Sequence, residues 1–131
     1  MAVAQAITGT YEQGKESHFT GLVWLRHTPT ITPPDGTTVA TVCFAPGSRT
    51  HWHRHPGGQF LYVLAGRGRV RIRNEQGEML EPGDVAYAGS KDWHFHGATR
   101  YAPMEHVAVH VGGGEPEWGE AVSDEEYDQG F

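Results

Sequence analysis

The chain has 131 residues, 37% of them hydrophobic, and a formal net charge of −6 at pH 7. That length fits one domain with a sizeable core, and the excess of acidic over basic residues argues against a nucleic-acid interface. The single cysteine, Cys43, excludes an internal disulfide, and no apolar run approaches membrane length. No signal-peptide pattern opens the chain, so we expect a cytoplasmic protein without membrane partners.

Short strands separated by glycine- and proline-rich turns are predicted for most of the chain. An N-terminal arm over 1–18 precedes them, and the strands are expected over 19–26, 38–44, 59–64, 67–73, 85–88, 93–97 and 104–111. We expect strand 67–73 to pair back onto the strand before it. Its arginines recur at a period of two, which predicts one solvated face of a sheet edge: Arg67, Arg69, Arg71 and Arg73.

The charge is concentrated at the C-terminus. No lysine or arginine follows Arg100, and seven acidic residues lie in the last 17 positions. We therefore expect an acidic tail over 112–131 that ends in a short helix, with Ser123 as its N-cap and Glu126 in the capping-box position. Many short strands and almost no other helix indicate a single all-β domain over 1–131, a small barrel or sandwich.

Three histidines at alternate positions precede strand 59–64. In an extended segment His51, His53 and His55 would point to one side. Gln59 follows after a Pro-Gly-Gly turn and opens an apolar strand. Imidazoles and a nearby carboxamide offer nitrogen and oxygen donors at metal-binding spacing, so the pattern predicts a metal site rather than a solvated histidine loop.

This stretch resembles the first motif of the cupins, G-x5-H-x-H-x3-E-x6-G, with glutamine in the place of the usual glutamate. The matching residues are Gly47, His53, His55, Gln59 and Gly66. The Glu-Pro-Gly-Asp turn at 81–84 and His94 match the second motif, although Ser-Lys replaces its usual Pro-Gly. The resemblance implies a double-stranded β-helix, or jelly-roll barrel. It also implies a metal ion with four ligands: His53, His55, Gln59 and His94.

Within the cupins the chain most resembles short bacterial proteins that include the manganese-dependent hydroxynitrile lyases, which show the same His-His-Gln-His ligand set. Shared features include Phe-Thr-Gly at 19–21, His-x-His-Gly at 94–97 and a histidine at 106. These proteins are also similar to cupins associated with carboxymuconolactone decarboxylases. The resemblance implies one divalent transition ion, with Mn²⁺ favoured over Fe²⁺, Ni²⁺ or Zn²⁺, and a small-molecule substrate.

A ligand set of three imidazoles and one carboxamide is neutral, which leaves the charge of a divalent ion uncompensated and favours Lewis-acid chemistry. We therefore expect a non-redox lyase, either hydroxynitrile-lyase-like or one that catalyses aldol, retro-aldol or cyclisation chemistry on a small hydroxy or carbonyl compound. An Fe(II)-dependent dioxygenase and a non-catalytic binder of metal or small molecules are the alternatives.

The proton-transfer group is expected among the histidines outside the ligand set. His106 and His110 share a parity on strand 104–111, so both are predicted to face inward, where uncoordinated imidazoles are natural general acids or bases. His106 is the favoured catalytic residue, a position to which the hydroxynitrile lyase resemblance also points, and His96 and His110 are further candidates. Strand alternation and proximity to the ligands predict the pocket lining: Ala40, Val42, Phe44, His51, Leu61 and Trp93.

The opposite face of strand 59–64 carries Phe60, Tyr62 and Leu64, which is too apolar for solvent. We expect this face and the N-terminal arm to be buried between subunits of a homodimer or homotetramer. The two remaining histidines, His18 and His27, have no placement near the motif and are expected at the surface.

Overall fold

A computed structural model describes residue 3 and residues 10–27 and 31–131 of the chain. Nearly all regular structure in these ranges is β-strand. In chain order the elements are β1 (Glu12–Gln13), β2 (Phe19–Thr20), β3 (Val23–His27), β4 (Thr38–Phe44), β5 (Arg49–Thr50), β6 (His53–Arg54), β7 (Gln59–Gly66), β8 (Gly68–Ile72), β9 (Glu78–Leu80), β10 (Val85–Ala88), β11 (His94–Ala98), β12 (Met104–His110), β13 (Glu117–Trp118) and α1 (Asp124–Asp128). The capping box at Ser123 and Glu126 is confirmed. Among the described residues no helix is long enough to cross a membrane.

The strands form two antiparallel sheets. Sheet A has the spatial order β1-β3-β4-β12-β7-β10. In sheet B, β11 is flanked by β8 on one side and by the consecutive short strands β5 and β6 on the other, while β9, β2 and β13 lie outside these. This arrangement confirms the predicted all-β jelly-roll barrel with a short C-terminal helix.

The strand predicted over 19–26 is two strands in different sheets. β2 pairs with β5 in sheet B, and β3 pairs with β4 in sheet A. The chain changes sheets at Gly21, whose φ of 86° is readily adopted only by glycine and redirects the backbone. The residues of the predicted N-terminal arm that precede position 10 lie outside the described residues, apart from residue 3.

The predicted pairing of strand 67–73 with the strand before it is wrong, because β8 pairs with β11 and β9 instead. The chain leaves sheet A at Gly66, which has a φ of 81°. A Cβ atom at this position would overlap the carbonyl oxygen of Pro103. The last glycine of the motif is therefore needed both for its backbone conformation and for the close approach of Pro103, the residue just before β12.

The prediction of a solvated arginine face holds for Arg67, which is 65% exposed, but the C-terminal segment covers much of the rest. Arg69 Nη1 donates to the Tyr127 carbonyl at 2.8 Å, and Arg73 pairs with Glu120 at 2.6 Å. The Tyr127 ring is completely buried and lies 5.1 Å from the Arg69 guanidinium. The period-two pattern correctly identified one face of β8, but the acidic tail supplies the opposite charges that cover it.

The barrel interior is apolar at one end and polar at the other. Strands β4, β7 and β12 alternate between buried and more exposed residues, as predicted. At one end Met104 pairs with Phe44 and with Gly66, and Phe44 and Met104 belong to an apolar cluster. At the other end the paired residues are Thr38, His110 and Gln59. The hydrophobic core therefore stabilises one half of the barrel and leaves the other half to polar side chains.

The outer face of sheet A carries exposed apolar side chains, as predicted for Phe60, Tyr62 and Leu64, which are 43%, 47% and 43% exposed. They belong to rows that cross several strands. Phe60 pairs with Tyr87 on one side and with Val109 on the other. The result is a continuous apolar surface rather than isolated apolar residues.

Candidate metal centre

A cavity of about 370 Å³ opens at the polar end of the barrel, between the two sheets. Its walls come from strands β1, β3, β4, β7 and β12 of sheet A and from β2, β5, β6, β11 and β13 of sheet B. Seven histidines line it: His18, His27, His53, His55, His96, His106 and His110. Such a density of imidazoles in one cavity marks it as the candidate functional site.

The structure brings the four predicted metal ligands together. His53 and His94 are paired across β6 and β11, and their ring centroids lie 4.3 Å apart. The His53 and His55 centroids are 5.0 Å apart. Gln59 Oε1 lies 2.8 Å from His94 Nε2. All four side chains are buried, so water competes little for their donor atoms.

A second set of histidines overlaps with the four predicted ligands. His53, His94 and His96 each present a ring nitrogen, and these three atoms lie within 4.8 Å of one another. His55 lies slightly apart, since its ring centroid is 6.1 Å from that of His94. Neither nitrogen of His55 has a hydrogen-bond partner, although the side chain is buried. These three histidines could therefore hold a metal ion, with His55 as a neighbouring donor of a further lone pair.

Backbone carbonyls set the tautomers of two of these imidazoles. His53 Nδ1 lies 3.0 Å from the carbonyl oxygen of His51, and His94 Nδ1 lies 2.9 Å from that of Asp92. A carbonyl oxygen only accepts, so each neutral ring carries its proton on Nδ1 and presents the lone pair of Nε2 to the centre. This hydrogen-bonding pattern is usual for metal-ligating histidines.

The amide of Gln59 adds a further lone pair. Its Nε2 lies 3.1 Å from His110 Nε2, which leaves Oε1 facing the His94 Nε2 lone pair at 2.8 Å. Two acceptors at that distance repel each other unless a cation binds both. The donor set therefore fits a metal ion.

Burial keeps the imidazoles of the centre neutral. Desolvation is the largest cause in each case, and the neighbouring histidines add to it for most of them. It lowers the pKa of His55 and of His106 to about 3, and that of His110 to about 4. The pKa values of His53 and His96 lie well below the ordinary value, and that of His94 is also lowered. At neutral pH all of these rings are therefore uncharged, the form in which each imidazole has one lone pair.

Residues 40–110 match the family model of the cupin domain. The chain belongs to the cupin family. It is 40% identical to an (R)-mandelonitrile lyase from Granulicella tundricola over 119 residues, which cover 88% of this cupin and 89% of that protein. A cupin-like protein from Thermotoga maritima is 36% identical, with a TM-score of 0.83 over 90% of this chain and 91% of that one. The polyketide cyclase RemF from Streptomyces resistomycificus shares the fold, with 19% identity and a TM-score of 0.72 over 98% and 91% of the two chains.

The three candidate catalytic histidines of this cupin differ in their surroundings. His106 is fully buried and lines the cavity, and its Nε2 lies 3.0 Å from His96 Nδ1. Phe44 packs against both rings, at centroid distances of 5.3 Å from His106 and 5.8 Å from His96. His110 has both ring nitrogens engaged, with Gln59 and with Thr38. The pair formed by His106 and His96 is therefore the better placed to move a proton.

Of the six residues predicted to line the pocket, Ala40 and Val42 do so. Phe44 does not line it, because its ring is packed behind those of His106 and His96, within the apolar cluster. Leu61 lines a second cavity of about 390 Å³ together with Gln59 and His94. Strand parity correctly turned both side chains inward, but parity alone does not say which part of the interior a residue reaches.

His51 and Trp93 also lie outside the lining of the cavity. The chain is irregular between β5 and β6, so the alternation expected to align His51 with His53 is interrupted. The ring of Trp93 instead lies 4.8 Å from the Arg54 guanidinium and packs beside the second apolar cluster of the protein. The prediction that three alternate histidines face one cavity therefore holds for His53 and His55 but not for His51.

His18 and Trp118 are among the cavity residues that were not predicted from the sequence. The rings of His18 and Trp118 are stacked, with centroids 4.0 Å apart, and both line the cavity. The Trp118 ring also lies 4.7 Å from that of His53, which it opposes across β13 and β6. The expectation of a surface position for His18 is wrong. His18 lies in the turn before β2 and Trp118 in the two-residue strand β13, where no periodicity indicated an inward position.

The lowered histidine pKa values predict that acid destabilises the metal-free protein. The unfolded chain binds protons near pH 6.5 and the folded one only at lower pH, so the free energy of unfolding should fall as the pH drops below 6.5. Each such histidine contributes up to about 1.4 kcal/mol per pH unit over that window. Chemical denaturation of metal-free protein from pH 8 to pH 5 measures this slope. We expect a shallower slope for His106→Gln, and a wild-type stability that does not change between pH 7 and pH 5 would contradict the prediction.

Proposed function

We propose that this cupin is a metal-dependent lyase that works without redox chemistry, and that one divalent transition ion, with Mn²⁺ favoured, is bound by His53, His55, Gln59 and His94. The observation that carries the proposal is the close contact between the lone pairs of Gln59 Oε1 and His94 Nε2 in a buried site. The (R)-mandelonitrile lyase that is 40% identical to this chain supports the reaction class.

The chemistry follows from the charges in the cavity. A divalent ion at this position would act as a Lewis acid toward a hydroxyl or carbonyl oxygen. Because no proposed ligand is a carboxylate, nothing in the ligand set cancels positive charge at that oxygen, and developing negative charge on a substrate is favoured. A neutral ligand set is a poorer environment for a high-valent metal, which makes the dioxygenase alternative less favourable.

The proton is handled by His106 in this proposal. It lines the cavity, is neutral at pH 7, and is not among the proposed ligands. In cyanohydrin cleavage His106 would accept the hydroxyl proton, the carbon–carbon electron pair would leave with cyanide, and the same proton would return to cyanide to give an aldehyde and hydrogen cyanide. The 3.0 Å contact between His106 Nε2 and His96 Nδ1 lets His96 share the proton. Ala40, Val42 and Ala108 leave space for an apolar group beside these histidines.

The first prediction concerns the metal. His53→Ala is purified and dialysed beside the wild type, and the metal content of both proteins is measured. The wild type should contain one ion per chain and His53→Ala should contain none. His27→Ala, which removes an exposed histidine at the edge of the cavity, should keep the ion. Comparison of His55→Ala with His96→Ala then tests the ligand set, since the proposal requires the larger loss of affinity for His55→Ala. Full metal content in His53→Ala would contradict the assignment.

The second prediction concerns the proton-transfer group. His106→Ala should retain the ion and the fold, but its rate of aldehyde release from mandelonitrile should fall by a factor of about 10² or more. His106→Phe, which fills the space, should be equally slow, so that a collapsed cavity cannot account for the loss. Val107→Ala on the other face of β12 is the matched control and should be active. Normal turnover in both His106 variants, or stoichiometric oxygen uptake by the wild type, would rule out this mechanism.

The third prediction concerns assembly. We propose that a second copy of the chain covers the apolar outer face of sheet A, because the strand neighbours of Phe60 and Tyr62 on both sides are apolar and an identical apolar surface can cover them. Val85 pairs with Tyr62, and Tyr87 pairs with Phe60. Light scattering should therefore give at least twice the monomer mass at micromolar concentration. Tyr62→Lys should lower the mass toward that of a monomer, whereas Met79→Lys, an exposed apolar residue in sheet B, should not. A monomeric wild type would contradict the proposal.

A further inference from the structure

The carboxamide of Gln59 is held at both ends. Its Nε2 lies 3.1 Å from His110 Nε2, and its Oε1 lies 2.8 Å from His94 Nε2. The other nitrogen of His110, Nδ1, lies 3.2 Å from Thr38 Oγ1. Thr38, His110 and Gln59 are paired in one row across β4, β12 and β7, so the backbone of sheet A places them side by side.

Hydrogen bonding in this row can run in two directions. With the amide nitrogen donating to His110 Nε2, that ring must carry its proton on Nδ1 and donate it to Thr38 Oγ1. The Gln59 oxygen then faces the centre. In the reverse direction His110 Nε2 donates to the amide oxygen, and the amide nitrogen turns toward His94, where it can bind no cation. The tautomer of His110 therefore decides whether Gln59 can act as a ligand.

Glutamine needs such an orienting partner, whereas glutamate does not. Either oxygen of a carboxylate can bind a metal, but only one of the two terminal atoms of a carboxamide can do so. The replacement of the usual motif glutamate by Gln59 therefore makes the neighbouring side chain important. His110 also stacks on His55, with ring centroids 4.2 Å apart and planes 16° apart, so it contacts two of the four proposed ligands.

We infer that His110 is a positioning residue that, together with Thr38, turns the Gln59 oxygen toward the metal. The inference rests on the proposed metal site and deepens it. It also removes His110 from the candidate bases, because both of its ring nitrogens are used in holding the amide. The chain thereby divides the two inward histidines of β12 between proton transfer at His106 and ligand orientation at His110.

The test measures the affinity for Mn²⁺ by competition with a chelator in metal-free protein. His110→Leu should weaken binding about 10- to 100-fold, the usual effect of removing a partner that orients a ligand. His110→Gln, whose amide oxygen can accept from Gln59, should restore affinity to within about threefold of the wild type. Thr38→Val should weaken binding less than His110→Leu but in the same direction, and Thr41→Val on the outer face of the same strand should have no effect.

A double-mutant cycle separates orientation from simple packing. In a Gln59→Glu background either oxygen can coordinate, so His110→Leu should cost at most a few-fold in Mn²⁺ affinity. An equal loss in both backgrounds, or an unchanged affinity of His110→Leu in the wild-type background, would overturn the inference. Failure of the metal site itself gives a different result, since His53→Ala would then bind Mn²⁺ as tightly as the wild type does.

Discussion

The burial of many neutral imidazoles at one end of a small barrel is the constraint on which the rest of the site depends. Desolvation holds the pKa values of these rings below the ordinary value, so each ring has one donor and one acceptor at neutral pH. Backbone carbonyls take the donors of His53 and His94. What remains at the centre is a set of lone pairs with few donors to satisfy them, an arrangement that favours a bound cation and is costly without one.

The remainder of the fold offsets that cost. At the opposite end of the interior, an apolar cluster formed by residues of both sheets provides hydrophobic stabilisation. The C-terminal segment supports the site from outside, because Tyr127 is buried and its hydroxyl donates to the carbonyl of Ala98 in β11. That strand also carries His94 and His96. The acidic tail is therefore part of the structure that keeps these two imidazoles in place, although it is distant from them in sequence.

Sequence reasoning succeeded where one local rule determined the outcome. Period-two alternation correctly assigned the inward faces of β4, β7 and β12, and motif spacing brought His53, Gln59 and His94 to one place. It failed where the outcome depended on distant parts of the chain. The partner of β8 depends on the direction in which the chain leaves Gly66, and the inward position of Trp118 depends on a two-residue strand without periodicity.

The exchange of glutamate for glutamine in the first motif has two physical consequences, and only one is electrostatic. Loss of the carboxylate leaves more positive charge at a bound ion, which favours Lewis-acid chemistry. Loss of its symmetry means that the ligand must be oriented, and in this cupin the row from Thr38 through His110 to Gln59 supplies that orientation. Charge and orientation thus change together when nitrogen replaces one carboxylate oxygen of the motif's usual glutamate. A chain that had the glutamine without a partner on β12 would have the more electrophilic site, but the oxygen of its amide would not be held toward the metal.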